Sequence, residues 1–213
     1  QLTRTELVFR RGTPPDATYT FKHALVQDAA YHSLLKKERK KLHAHIADVL
    51  DRDFPQRVAN EPELLAYHRT EADTPNDLMA AIPLWRKAGE SALARMALQE
   101  AVGYLDKGLA IVERLPPSAE RDALELSLRE PLHTARLRWR GWSSWEVGVN
   151  ATGILWLAQK QQRSQSLLIG LWGMWINTIT QGRVAETPSW ARRLLEEGSQ
   201  SGNLDLLIFG HRA

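Results

Sequence analysis

Cysteine is absent from the 213 residues. That removes disulfide scaffolds, Cys-based zinc sites and thiol nucleophiles together. Long apolar runs are missing as well. The longest, Leu167 to Ile179, is interrupted by Gly170, Gly173, Asn177 and Thr178, so it falls short of the roughly 18 apolar residues that a membrane span requires and reads as a buried core helix. The N-terminus has no basic segment followed by an apolar one, so no secretory signal is expected. Charge of one sign is scarce. The net charge is +3, and basic residues gather only in KKERKK at 36–41, which gives little reason to expect nucleic acid as the main partner. No phosphate-cradling G-x-x-x-x-G-K-[ST], no G-x-S-x-G and no H-E-x-x-H occurs, so no catalytic, cofactor-binding or metal-ligating residues are assigned and a non-enzymatic region is expected.

What is present is mostly helical patterning. Only residues 7–23 read as strand: LVFRR and TYTFKH alternate with period 2 around the turn cluster GTPPDA, which predicts a β-hairpin that must lean on other elements. From His23 onward the periodicity is that of helices. Leu42, Ile46, Val49 and Leu50 form one apolar stripe, residues 51–62 read as a linker, and Asn60 with Glu63 has capping-box spacing. Helices are predicted at 77–95, 97–115, 119–140, 143–161, 164–181, 184–200 and from 203, with Ser143 and Glu146 as a second capping box. Breaks this short between helices imply antiparallel neighbours.

Small residues recur on these helices. Trp85, Ala88 and Gly89 precede Ala101, Leu105 and Gly108; Trp172-Gly173 precedes Ala185; Val147 holds the small-residue position of an irregular pair at 119–161; Phe209-Gly210 opens a further unit. Small side chains let two helices approach closely while large ones fill the gaps, and this is the pattern of tetratricopeptide (TPR) repeats. The expected fold is all-α: a TPR-like helical-hairpin solenoid over 56–213, preceded at 1–55 by a β-hairpin and two helices. A generic helical bundle is the competing architecture.

The stretch YTFKHALVQDAAYHSLLKKERKKLHAHIADVLD at 19–51, with PELLAYHRTEA at 62–72 and IPLWRKAGESAL at 82–93, resembles large bacterial multidomain regulators. Those proteins join a class III adenylate or guanylate cyclase domain, or a transcriptional regulator, to an AAA-type ATPase and a TPR-like tail. The resemblance implies that residues 1–55 end a winged-helix-like module, with the hairpin as its wing. It also implies a cytoplasmic signalling protein in which this region scaffolds, binding the ATPase or cyclase domains or another protein. A ligand-sensing tail of an ATPase-containing transcriptional regulator is the second expectation. The chain starts on Gln1 and stops at Ala213 within an apolar helical pattern, so a longer polypeptide is expected.

By repeat spacing, the groove-facing positions are Arg86, Glu90, Arg138, Trp139, Met174 and Asn177. Seven of the eight tryptophans fall between Trp139 and Trp190. They either fill the gaps between helix pairs or anchor a partner. His43 and His45 lie two apart, on opposite sides of a helix, and cannot share an ion. Asp28 and His32 are spaced to share one but lack further ligands, so a simple side-chain pair is expected. His23 is expected to pack and cap at the strand-to-helix joint.

Overall fold

A computed structural model describes residues 7–13 and 17–213. The hairpin is present: β1 (Val8–Arg11) runs antiparallel to β2 (Thr18–Phe21), with Val8 opposite Phe21 and Arg11 opposite Thr18. The tip of the expected turn, residues 14–16, lies outside the described residues. Eleven α-helices follow among the described residues. They are α1 (Ala24–Ser33), α2 (Lys36–Asp53), α3 (Pro55–Asn60), α4 (Pro62–Ala72), α5 (Pro75–Ala94), α6 (Leu98–Val112), α7 (Ala119–Arg140), α8 (Trp145–Gln161), α9 (Ser164–Thr180), α10 (Thr187–Ser201) and α11 (Leu204–Arg212). None is long and apolar enough to cross a membrane.

Helix starts follow local chemistry. The Thr74 hydroxyl accepts from the Asp77 amide at α5, Ser118 accepts from Arg121 at α7, and the Asn203 side chain accepts from Asp205 and Leu206 at α11. Each satisfies amides that the first helical turn leaves without partners. Pro62, Pro75 and Pro188 open α4, α5 and α10, where the missing N–H is not needed. Neither expected capping box forms. Asn60 is the last residue of α3, because Pro55 starts a helix inside the expected linker. Ser143 lies outside α8, whose N-cap is Ser144; the Ser144 hydroxyl is hydrogen-bonded to the Glu146 carboxylate at 2.5 Å instead of a backbone amide.

From α4 to α11 each helix packs against the next in sequence, and α5 also touches α7 as α9 touches α11. The largest apolar cluster joins α4, α5, α6 and α7 around Ile82, Trp85, Leu105, Leu128 and Leu132. Leu105, Leu128 and Leu132 are fully buried, each contributing about 2 kcal/mol of hydrophobic stabilisation. A second cluster unites α8 to α11 around Leu155, Leu171, Leu194 and Leu206. Ala47 and Leu50 of α2 meet Leu65 of α4, with Leu84 of α5 against them, so packing runs without a break past residue 55.

Close helix approach depends on residues without side chains. A methyl group at Gly89 would come within 2.5 Å of the Leu105 Cγ, and one at Gly108 within 2.8 Å of a Leu128 methyl. At Gly170 the obstacle is backbone: the Leu155 nitrogen and Cα would lie at 2.9 Å. Ala101 is wholly buried, and Gly173 faces Ala151 and His133. Ala185 breaks the expected series. It is exposed in a 3-10 turn, Val184–Glu186, because α10 begins only at Thr187. Gly198, against Leu207, and Gly210, against Leu195, provide the close contacts between α10 and α11.

The tryptophans divide between buried and exposed positions. Trp85 is buried, and Trp172 stacks on Trp175 with Phe209 edge-on against it, whereas Trp139, Trp145 and Trp156 are exposed.

Gly170→Ala is expected to destabilise the fold by about 2 kcal/mol, since backbone cannot move aside as a flexible side chain does. Gly103 lies in α6 with nothing within 4 Å of an added methyl group, so Gly103→Ala is expected to stabilise by about 1 kcal/mol through helix propensity. Urea midpoints at constant m-value check both signs.

Candidate functional site

Three surface features hold the chemistry: the expected groove positions, an aromatic stripe on α8, and a cavity between α1, α2 and α4.

Arg86 and Glu90 are exposed on α5 and pair with each other at 3.6 Å. Arg138 and Trp139 are exposed at the end of α7, where the Arg138 Nη1 approaches the Met96 Sδ at 3.6 Å and the Arg140 guanidinium lies 3.9 Å from the Trp139 ring centre. One expected position, Asn177, faces inward. Asn177 is 1% exposed, and its Nδ2 donates to the Trp142 carbonyl and, at 2.9 Å, to the Ser144 carbonyl. Gly148 makes this possible, since a methyl group there would strike the Asn177 Oδ1 at 2.5 Å. Asn177 is therefore an internal tie between α9 and the start of α8. Met174, half-buried, turns toward α8, where the Thr152 hydroxyl lies 3.2 Å from its Sδ. Repeat spacing misassigned Asn177 because α8 and α9 close on each other along the Gly148, Ala151 and Gly170 side, whereas Met174 lies beside the exposed Thr152.

On α8, Trp145 (68% exposed), Val149 (55%), Thr152 and Trp156 (55%) fall at i, i+4, i+7 and i+11 and share one solvent face. The opposite face, with Val147, Ala151, Ile154 and Ala158, is buried. Lys160 lies 5.0 Å from the Trp156 ring centre while pairing with the buried Asp122 at 2.5 Å. Trp145 and Val149 form one wall of a groove of about 390 Å³ whose other wall is α6 at Leu109 and Ala110. Its floor is polar and satisfied. Arg136 pairs with Asp106 at 2.8 Å, and Arg129 donates to Glu125 and to Asn150 at 2.8 and 3.2 Å. Burial nonetheless pushes the Asp106 carboxyl up, against the pull of Arg136. Sequence reading noted the tryptophans; the helical spacing of Trp145, Val149 and Trp156 puts them on one face, and the burial of the opposite face marks it as the open one.

The third feature unites residues from three helices. His43, Ala47 and Leu50 form the buried face of α2, which brings the His43 ring against α4. Its Nδ1 lies 2.9 Å from the His68 Nδ1, and its Nε2 is 3.0 Å from the Tyr31 hydroxyl of α1. Tyr67 meets the His43 ring edge-on, with centres 5.5 Å apart. Burial lowers the His43 pKa, outweighing the opposing field of Glu71 and reinforced by Arg39. Burial, with His43 beside it, lowers His68 to about 4. The Tyr67 phenol is pushed up, mainly by burial. These rings surround a cavity of about 650 Å³. The His43–His68 pair, 25 residues apart, was invisible to a search for ligands spaced along one helix. Among the described residues no group of three or more His, Cys, Asp or Glu side chains is placed to hold a metal ion. His32 points its Nδ1 to the Arg39 Nη1 at 3.2 Å rather than pairing with Asp28. His23 is exposed, and its side chain makes no capping hydrogen bond. In the basic run, Lys40 pairs with Asp73 and Lys41 with Glu38.

No protein-family model matches the chain, and no solved structure matches it. Among curated proteins it is similar to an uncharacterized protein of Rhizobium meliloti (strain 1021), 27% identical over 125 residues. That alignment covers 59% of this chain and 12% of the relative's length.

Acid is expected to destabilise the fold through buried imidazoles. His133 is buried, its Nδ1 has no partner among the described residues, and burial lowers its pKa from 6.5 to about 4. The unfolded chain binds this proton first, so its contribution is complete above pH 6.5 and is lost as pH falls toward the folded value, by about 3 kcal/mol. His68 adds a smaller loss of the same sign. Urea titrations from pH 7 to 4 should show this slope, and His133→Phe should flatten it. Asn177→Ala should cost about 2 kcal/mol, since it removes a fully buried side chain and its hydrogen bonds to the Trp142 and Ser144 carbonyls; thermal melting measures it.

Proposed function

We propose that this region is a non-catalytic protein-interaction and regulatory scaffold, a TPR-like stack of helical hairpins in a cytoplasmic signalling protein. The observation that carries the reading is the α8 stripe. Two tryptophans and a valine on one open helix face are costly to leave in water, and aromatic anchors of this kind dominate the energetics of protein interfaces. Helix-to-next-helix packing with side-chain-free crossings supports the repeat architecture, and the contacts α5 to α7 and α9 to α11 are those that stacked pairs make. Arg86, Glu90, Arg138 and Trp139 remain exposed and available as further contacts.

The resemblance to multidomain regulators supplies the partner. The ATPase or cyclase modules of the same polypeptide are the proposed occupants of this surface, so that their docking alters cyclase output. The winged-helix-like origin of the hairpin and α1 is part of the same proposal. A second reading, the ligand-sensing tail of an ATPase-containing transcriptional regulator, is favoured by one observation: the cavity of about 650 Å³ beside His43 and His68, a size typical of small-molecule sites.

Calorimetric titration of this chain with the separately purified ATPase module tests the scaffold. The variant Trp145→Ala/Trp156→Ala should weaken binding by about tenfold or more, the loss of one hot spot. Arg86→Ala, an exposed paired charge, should change it by about threefold or less. Absence of binding, or equal affinity for the tryptophan variant, would refute the scaffold reading at this face.

A further inference from the structure

We propose that the cavity between α1, α2 and α4 binds an uncharged aromatic molecule carrying a hydroxyl group, with its ring against the leucines and tyrosines and its hydroxyl at the His68 imidazole. This rests on the ligand-sensing reading, to which it adds a ligand class, and is independent of the scaffold.

The walls suit a planar apolar guest. Phe21, Leu34, Leu42 and Ile46 contribute aliphatic and aromatic surface to the lining. Leu34, Leu42 and Tyr67 are 40%, 45% and 43% exposed, so a guest would take apolar surface at the end of α1, on α2 and on α4 out of water together. Tyr31 and Tyr67 each meet the His43 ring edge to face, at interplanar angles of 86° and 82°. Rings set at right angles offer an aromatic guest both edges and faces to pack on.

The charges argue for a neutral guest. The Asp28 carboxylate lines the cavity itself, and Lys36, Arg39, Lys40, Glu71 and Asp73 line a space of about 330 Å³ that shares Tyr31 and His32 with it. Three cations are thus matched by three carboxylates. Asp73 is held by Lys40 and Arg114. Arg39 lies 5.0 Å from the Tyr31 ring centre and 3.2 Å from the His32 Nδ1. The imidazoles add no charge at neutral pH, because burial lowers His43 and takes His68 to about 4. An ion of either sign entering here would give up hydration without meeting a net opposite charge. An uncharged ring carries no such cost.

The hydroxyl is assigned by the open end of the imidazole chain. The His43 Nε2 is engaged by the Tyr31 hydroxyl at 3.0 Å, and its Nδ1 by the His68 Nδ1 at 2.9 Å. The His68 ring lines the cavity, and its Nε2 has no hydrogen-bond partner among the described residues. Whether that nitrogen carries a proton depends on the tautomer. A hydroxyl donates as readily as it accepts, so it satisfies either form. Neither of two other spaces offers this. The floor of the α6–α8 groove is made of paired charges, and the space of about 260 Å³ near Gln159 and Glu197 is lined by no aromatic ring.

Three probes that share one ring system and differ in charge test the proposal: 2-naphthol, 2-naphthoate and 2-naphthylmethylammonium. Titrations of the full chain at neutral pH are followed by the Cε1–H NMR signals of His43 and His68. 2-Naphthol is expected to bind one saturable site, to shift both signals, and to bind about tenfold tighter than either ion. 2-Methylnaphthalene, which lacks the hydroxyl, should bind about tenfold more weakly than 2-naphthol, the worth of one hydrogen bond, and His68→Phe should erase that difference. Trp145→Ala/Trp156→Ala should bind 2-naphthol as the parent chain does, which separates this test from that of the scaffold. Histidine signals that stay fixed with all four compounds overturn the site, and the ligand-sensing reading with it. An ion that binds as tightly as 2-naphthol overturns the neutral ligand class alone. Equal affinity for 2-naphthol and 2-methylnaphthalene overturns the hydroxyl contact. Should His68→Phe lower the melting temperature, the two neutral compounds on the parent chain decide.

Discussion

At Gly170 the backbone of α9 rests on that of Leu155 with no room for a methyl group; Gly198 and Gly210 likewise meet a neighbour's backbone nitrogen, and at Gly89 and Gly108 a leucine side chain fills the place a methyl group would take. Close approach at side-chain-free points is the constraint from which the rest follows. Where two helices touch this tightly, the large side chains beside the crossing interdigitate and dry the contact, and dispersion adds to apolar burial. Each helix is thereby fixed to the one before it, and the exposed faces of α5, α7 and α8 take their positions from that chain of contacts. The polar ties are secondary but directional. Asn177 and Asn150 each satisfy carbonyls from a neighbouring segment, so they specify register where apolar packing alone would tolerate sliding.

Much of this was legible in the sequence because it is local. Helix periodicity, Pro-Pro-Ser at 116–118 and the glycines at breaks placed α7 at 119–140 without error and most other helices within a few residues. The hairpin followed from alternation around a turn cluster. Failures came where geometry depends on partners distant in sequence. Ala185 has the right residue type at the right spacing, yet Pro188 holds the start of α10 back and leaves it in a turn. Asn177 sits where a groove residue would, but the space left by Gly148 draws it inward.

The site was less legible than the fold. Spacing along one helix set His43 and His45 on different faces, one buried and one exposed, but could not foresee that His43 meets His68 across two helices. The open face of α8 was within reach, since Trp145, Val149 and Trp156 share a helical face; only the burial of the opposite face distinguishes it from another core stripe.

The contact between Tyr31, His43 and His68 has one more property. Two proton arrangements satisfy it with the heavy atoms unmoved. In one, the tyrosine hydroxyl donates to the His43 Nε2, His43 donates to the His68 Nδ1, and His68 offers an N–H outward from its Nε2. In the other every bond reverses, and His68 presents a lone pair while the phenol proton is released for another acceptor. A wall wired in this way is bilingual: the tyrosine proton passes to the His43 Nε2 and the His43 Nδ1 proton to the His68 Nδ1, while solvent takes the proton from the His68 Nε2 and returns one to the tyrosine oxygen, so the wall turns from donor to acceptor with no net charge gained.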